Sequence, residues 1–177
     1  MSSGFSWASA SSSRSRYRRG EALRLYLDRL EEALAREKPL LKPGVGPLLQ
    51  DISGSAGAVS ALLTGNVERG ARIKLQAAGL WHHFAFGVWG DEASRREELG
   101  PVALARAESL LGRKFEGPEC VVVGDSRQDV ACGLAFGARV VAVATGKTSA
   151  EDLRRAGATV VLPDFSDLER SREAILG

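Results

Sequence analysis

Cysteine is scarce in this sequence, and long apolar runs are missing from it. The 177 residues include two cysteines, Cys120 and Cys132, which are too few for a disulfide framework and lack the spacing of a metal site. A reducing, cytoplasmic location is therefore the expectation. No apolar run approaches the roughly 20 residues that cross a bilayer, so a membrane-spanning role is not expected.

Neither sign of charge dominates either. The chain has 24 basic and 22 acidic residues, a net charge of +2, which argues against nucleic acid or an anionic membrane as the main partner. Residues 1–20 contain no acidic residue and are rich in Ser and Arg. That composition predicts a disordered or aberrant tail; a transit peptide is the alternative, but a sustained amphipathic pattern is missing.

What the sequence does contain is an alternation of strands and helices from residue 58 onward. Strands are predicted over 58–63, 84–88, 120–123, 139–144 and 159–162, with helices over 67–78, 101–111, 128–136, 149–156 and 166–175. The strand segments are solid runs of Val, Leu and Ala, so both faces should be covered. This pattern predicts an α/β fold with a Rossmann-like parallel sheet and helices on both faces.

An amphipathic helix is predicted ahead of this region. Apolar residues recur at helical spacing over 21–36, and Pro39 and Pro43 end the helix because proline disfavours helix in the residue before it. A short helix is expected from residue 44. We therefore divide the chain into a tail (1–20), a helical segment (21–43) and an α/β core (44–177).

Two carboxylates follow the strand that ends at Val123. Gly124 permits a sharp turn, Asp125 should lie at the strand tip, and Asp129 should lie in the first turn of the next helix. Oxygen ligands placed in this way suit Mg²⁺. The alternative is that Ser126 or Asp129 simply caps the helix.

A second polar segment, Thr64-Gly65-Asn66, follows the strand that ends at Leu63. A hydroxyl and free amides at the start of a helix can bind an anion such as phosphate. An ordinary helix cap is the alternative. Both this segment and Asp125 lie at carboxyl ends of strands, where parallel α/β sheets place their active sites.

Together, the segments LLTGN and VVVGDSRQDV resemble two motifs of the haloacid dehalogenase-like hydrolases. The C-terminal stretch from Cys132 to Leu168 is similar to that of phosphoglycolate phosphatase-like members. The resemblance implies Mg²⁺-dependent hydrolysis of a small phosphorylated metabolite. It places the metal at Asp125 and Asp129, and the phosphate at Thr64, Gly65 and Asn66.

The family also uses a basic residue that neutralises the phosphate and the nucleophile. Arg96 stands at the matching place, with a catalytic role implied alongside Thr64. Arg95 is the neighbouring candidate for this role. Alternatively, these arginines belong to a solvated cluster of charged residues with no role in a site. Lys74 is a weaker candidate and is expected on a helix surface.

The family's nucleophile motif, Asp-x-Asp-x-Thr at the end of a strand, is absent from these residues. Asp28 lies inside the predicted first helix. Asp51 begins a superficial echo ending at Ser55, but the eight residues between Ser55 and Thr64 are too few for a parallel crossover. We therefore expect impaired or no hydrolysis; the alternative is a non-catalytic binding or interaction module, or a gene fragment, with the same fold.

The missing motif also has a structural consequence. In the family its strand is central, between the strands that end at Thr64 and Asp125, so its absence should leave a gap of about 10 Å. The flanking strands could close up, or Phe5 and Trp7 could contribute a substitute strand. Failing that, exposed sheet edges favour self-association. The segment 21–43 is similar to the last part of the family's helical cap.

Overall fold

The structure, a computed structural model, describes the backbone of residues 8–177 and the side chains of residues 20–177. The predicted substitute strand at Phe5 and Trp7 lies outside the described residues. The chain divides into two compact units, Met1–Lys38 and Pro39–Gly177, five residues earlier than the boundary that the sequence suggested.

The first unit contains helix α1, Ala8–Arg36. The predicted helix over 21–36 is confirmed. It begins earlier than expected, at Ala8, and so includes residues that composition had assigned to a disordered tail. The physical reason is local: residues 8–19 contain neither proline nor glycine, so nothing in them interrupts a helix.

The second unit alternates strands with helices, as predicted. Its elements are α2 (Val45–Gly54), β1 (Ala61–Leu63), α3 (Glu68–Ala77), β2 (Phe86–Val88), α4 (Leu99–Leu111), β3 (Val121–Gly124), α5 (Arg127–Ala135), β4 (Arg139–Val143), α6 (Ala150–Arg155), β5 (Val160–Leu162) and α7 (Leu168–Leu176). Short 3-10 turns lie at Trp81–His83, Arg96–Glu98 and Gly117–Glu119. None of the helices in the described part of the chain is long and apolar enough to cross a membrane.

Strand β4 is the centre of a three-stranded parallel sheet in the order β3-β4-β5. On one face, Val141 and Val143 pack in a cluster formed with α2 and α7, whose buried members are Leu48, Ile52, Leu162, Phe165 and Ile175. On the other face, Val140 and Ala142 pack with Val130 and Leu153 of α5 and α6. Burial on both faces explains why this strand is a continuous apolar run.

Strands β1 and β2 form a separate parallel pair, with Leu62 opposite Gly87. Within residues 8–177, β1 does not pair with β3, so the two strands have not closed up on each other. β3 consequently has one edge without a strand partner among the described residues, and the side chain of Val123 is 43% exposed. Among residues 8–177, the strands ending at Thr64 and Asp125 therefore remain in separate sheets.

Candidate functional site

Arg96 connects the loop after β1 with the start of α5. Its Nη1 lies close to Gly65, so that a Cβ at Gly65 would be 3.3 Å away. Its Nη2 donates to Asp129 Oδ1 at 2.5 Å. The structure thus brings together three of the predicted site residues, which lie far apart in the sequence, and the solvated-cluster alternative does not describe Arg96.

Arg95, the neighbouring candidate, is on the surface. Its Nε pairs with Glu98 at 3.1 Å, and its side chain is 74% exposed against 32% for Arg96. The backbone of Arg96 is anchored by Cys132. The buried Cys132 thiol donates a hydrogen bond to the Arg96 carbonyl oxygen, with a sulfur–oxygen distance of 3.1 Å. Burial raises the pKa of that thiol, which keeps it protonated as a donor.

Asp129 has both carboxylate oxygens engaged by protein donors. Oδ1 accepts a hydrogen bond from Arg96 Nη2. Oδ2 accepts hydrogen bonds from the backbone N–H groups of Asp125 and Ser126, at 3.1 Å each, and from the Ser126 hydroxyl, at 2.7 Å. Ser126 is the N-cap of α5, and Asp129 completes a capping box. The capping alternative is therefore realised. The assignment of Asp129 to a metal stays a prediction that these contacts do not favour.

Gly124 is required for this arrangement. A Cβ on Gly124 would lie 2.3 Å from the Cβ of Asp129 and 2.6 Å from its Oδ2. The sequence placed a turn here because glycine bends freely, but the close approach of the Asp129 side chain is the stronger reason. A larger residue would push the carboxylate away from Arg96.

Asp125 is exposed at the tip of β3. Its Oδ2 faces the loop after β4, where a Cβ on Gly146 would be 2.4 Å away. No hydrogen bond reaches its carboxylate from within residues 20–177. The same residues contain no group of three His, Cys, Asp or Glu side chains able to hold a metal. Asp125 is therefore one suitable Mg²⁺ ligand, but the described residues do not make a complete magnesium site.

The loop after β1 is organised by Thr64. Its Oγ1 accepts hydrogen bonds from the backbone N–H and Nδ2 of Asn66, at 3.1 Å and 3.0 Å. As a hydroxyl that accepts twice, Thr64 keeps its own hydrogen available for a ligand. Neither residue caps α3, whose N-cap is Val67 without a side-chain bond. The ordinary-cap alternative is thus not what the structure shows for this segment.

Lys74 is brought into the same loop from α3. Its Nζ donates to Asn66 Oδ1 at 3.0 Å, whereas the sequence made this lysine a weaker candidate that was expected on a helix surface. Helical spacing could not have identified the contact, because Asn66 lies in the loop before α3, which begins at Glu68.

Gly90, which follows β2, also holds the loop formed by Thr64, Gly65 and Asn66. The sequence did not predict this contact. The Gly90 N–H donates to Asn66 O at 2.9 Å, and a Cβ on Gly90 would lie 2.2 Å from Gly65 O. The Gly90 turn is held by Glu92, which accepts from the Trp89 N–H and pairs with Arg106. The Arg106 hydrogen bond lowers the pKa of Glu92, so this anchor stays ionised at neutral pH.

The convergent groups are donors. The Thr64 hydroxyl, the exposed Gly65 backbone and the Asn66 amide lie in the loop after β1. The Arg96 guanidinium approaches this loop at Gly65, and the Lys74 ammonium contacts Asn66. Donors of this kind bind and orient an oxyanion such as phosphate.

Asp51, whose echo of the nucleophile motif was considered in the sequence, does not join this site, because it lies inside α2 and pairs with Arg172 at 3.1 Å. Asp28 lies inside α1, as predicted. A broad groove of about 570 Å³ at α2 and α7 shares no residue with the site. It is lined by Pro47, Gln50, Asp51, Gly54, Ser55 and Arg172.

Comparison with known proteins points to one family. Its model, described as haloacid dehalogenase-like hydrolase, matches residues 3–133, and another described as HAD-hydrolase-like matches residues 99–168. The "Probable phosphatase IndB" of Dickeya dadantii is 28% identical over 149 residues, covering 82% of this chain and 62% of that protein. Phosphoglycolate phosphatase 1 of Pseudomonas aeruginosa is 29% identical over 126 residues, covering 71% of this chain and 45% of that protein.

A solved structure shows the same fold. The crystal structure of CbbY from Rhodobacter sphaeroides in complex with phosphate superposes with a TM-score of 0.71 at 20% identity, covering 84% of this chain and 65% of that one. The chain therefore spans less than two thirds of the length of each of these proteins.

Proposed function

This chain belongs to the haloacid dehalogenase-like hydrolase family, and we propose that its 177 residues carry the phosphate-binding part of a phosphomonoesterase. Thr64, Gly65 and Asn66 bind the phosphoryl oxygens. Arg96 offsets their charge. The substrate class is a small phosphorylated metabolite, as the phosphatase relatives suggest.

The observation that carries this proposal is the position of Arg96. Its guanidinium presents one nitrogen to the Gly65 loop and another to Asp129. A planar guanidinium held in this way by a carboxylate is oriented before a ligand arrives. The Asp129 ion pair and the Cys132 thiol together hold Arg96 beside the Gly65 loop, which supports phosphate binding there.

Hydrolysis by these residues alone is expected to be weak. No Asp-x-Asp-x-Thr occurs in the 177 residues, so the covalent route through an aspartyl phosphate has no nucleophile here. Phosphatases of this family generally use Mg²⁺, and Asp125 is the carboxylate that could contribute to holding it. Asp129 is committed to Arg96 and to the helix cap, so it does not offer a free second carboxylate beside Asp125.

Phosphate titration calorimetry tests the binding part of the proposal. Wild-type chain is expected to bind inorganic phosphate, and Arg96→Met to bind about 10- to 100-fold more weakly, since a charge-assisted hydrogen bond contributes about 1.5–3 kcal/mol. Arg95→Met is the matched control and should leave the affinity unchanged. Absence of phosphate binding by wild-type chain would overturn the proposal.

Aryl phosphate hydrolysis with Mg²⁺ tests the catalytic part. We expect turnover near background for both wild-type chain and Asp125→Ala. Robust turnover that is lost in Asp125→Ala would show that these residues hydrolyse phosphomonoesters after all.

We also propose a cytoplasmic location for the protein. Both cysteines are free in the described residues, and free thiols are typical of a reducing compartment.

A second candidate function is an interaction module that uses the open edge of β3. The edge presents an apolar strand whose Val123 is 43% exposed, and the occupant we propose is a second copy of the chain. Light scattering after size-exclusion chromatography should then report a dimer for wild-type chain and a monomer for Val123→Lys. A wild-type monomer at high concentration would refute the idea.

A further inference from the structure

Lys74 is the least expected member of the site. It is half-buried on α3, and its Nζ donates to Asn66 Oδ1 at 3.0 Å. An ammonium group has only donors, so the amide oxygen of Asn66 must face Lys74. The Asn66 Nδ2 is then directed toward Thr64 Oγ1, at 3.0 Å. Lys74 thus decides which way the amide points.

Lys74 also differs from the neighbouring cations in its ion pairing. Arg96 is paired with Asp129, and Arg72, on the same helix as Lys74, is paired with Glu68 at 3.1 Å. Within residues 20–177, the contact made by Lys74 is to a neutral amide, and no carboxylate pairs with it. The positive charge of Lys74 is therefore not neutralised at the end of β1.

We propose that Lys74 is a positioning residue for the bound phosphoryl group. It holds the Asn66 amide with its donor side toward Thr64 and the ligand, and its charge attracts a dianion to the loop. This rests on the phosphate site proposed above and deepens it. Arg96 shares its charge with Asp129 before a ligand binds, so the unpaired charge of Lys74 adds to the attraction at a distance.

Three substitutions separate the two contributions. Lys74→Met removes both the charge and the hydrogen bond to Asn66, Lys74→Gln keeps a donor without charge, and Lys74→Arg keeps both. The matched control is Arg72→Met, which removes a cation two residues away on the same helix that is already paired with Glu68. Thermal melting of each variant reports whether the fold is retained.

The primary readout is the dissociation constant for inorganic phosphate, measured by calorimetry at low ionic strength. We expect Lys74→Met to weaken binding about ten-fold, as for loss of a charge-assisted contact, with Lys74→Gln intermediate and Lys74→Arg close to wild type. The affinity of Lys74→Met should also depend less on salt than that of wild type. Arg72→Met should bind like wild type.

The second readout is the side-chain amide signals of Asn66 in a nitrogen–proton NMR spectrum, assigned with Asn66→Ala. These signals should move in Lys74→Met and stay in place in Arg72→Met, whether or not phosphate is present. Shifted Asn66 signals combined with weakened phosphate affinity, both restored in Lys74→Arg at an unchanged melting temperature, would not be produced by a lysine that only stabilises the fold.

The outcomes distinguish the positioning role of Lys74 from phosphate binding by the site as a whole. Wild-type affinity in Lys74→Met, together with weakened binding in Arg96→Met, overturns the role of Lys74 and leaves the phosphate site standing. Unmoved Asn66 amide signals in Lys74→Met overturn the positioning role as well. Absence of phosphate binding in wild-type chain overturns both proposals together.

Discussion

The ion pair between Arg96 and Asp129 offers the sharpest test of how this site is built. Asp129→Ala removes a carboxylate that is bonded to Arg96 on one oxygen and to the start of α5 on the other. Loss of the helix cap costs about 1 kcal/mol. The side chains of Arg96 and Asp129 are 32% and 12% exposed, so the pair lies between a surface and a buried bridge.

The contribution of this ion pair to the free energy of unfolding lies between that of a buried pair and that of an exposed pair. Removing one partner of a buried pair costs about 3–5 kcal/mol, whereas an exposed pair contributes about 0–1 kcal/mol. We take about 2 kcal/mol for this half-buried pair. Asp129→Ala should therefore lower the free energy of unfolding by about 3 kcal/mol, and Arg96→Met by about 1–2 kcal/mol, because Asp129 keeps its other donors.

The assay is urea unfolding followed by circular dichroism on wild type, both single variants and the double variant. The coupling energy between Arg96 and Asp129 should be about 1–2 kcal/mol. Ser126→Ala, which removes only the cap hydroxyl, should cost about 1 kcal/mol and serves as the control for capping. A coupling energy indistinguishable from zero would refute the account of Arg96 as a residue held in place by Asp129.

Three further outcomes follow from other contacts. Leu162→Ala should lower the free energy of unfolding by about 2–5 kcal/mol in a denaturant titration, since this side chain is 2% exposed in the core. Gly90→Ala should weaken phosphate binding in calorimetry, because a Cβ would lie 2.2 Å from Gly65 O; unchanged affinity contradicts this. Burial lowers the pKa of His83, so the folded state binds its proton less tightly than the unfolded state. Stability should therefore fall as pH drops below about 6.5, and His83→Gln should reduce that slope in urea midpoints compared across pH.

Much of the fold could be predicted from local patterns. Solid apolar runs such as that of β4 identify strands buried on both faces, and glycines such as Gly112 and Gly137, both with positive φ, mark helix ends. The strand ends at Thr64 and Asp125 could be located because parallel α/β sheets place polar loops there. These signals depend on residues near one another in the chain.

The contacts that build the site could not be derived in this way. Arg96 and Asp129 are 33 residues apart, and nothing in the local sequence indicates that their side chains meet. The helix cap at Ser126 and Asp129 was available locally as an alternative, but the second engagement of the carboxylate, by Arg96, was not. Lys74 looks like an ordinary helix-surface residue until α3 turns it toward Asn66. The backbone approach of Gly90 to Gly65 likewise exists only once β1 and β2 are paired.

The sequence by itself thus determined the family, the order of strands and helices, and which strand ends carry polar groups, because periodicity, turn chemistry and motif spacing are local. It also indicated that a central strand is missing between the strands ending at Thr64 and Asp125, but it left open whether those strands would close up on each other. Only the tertiary structure decided that Asp129 holds Arg96 and that Lys74 orients Asn66. Those choices depend on distances between elements, which packing of the sheet and helices sets and no local pattern records.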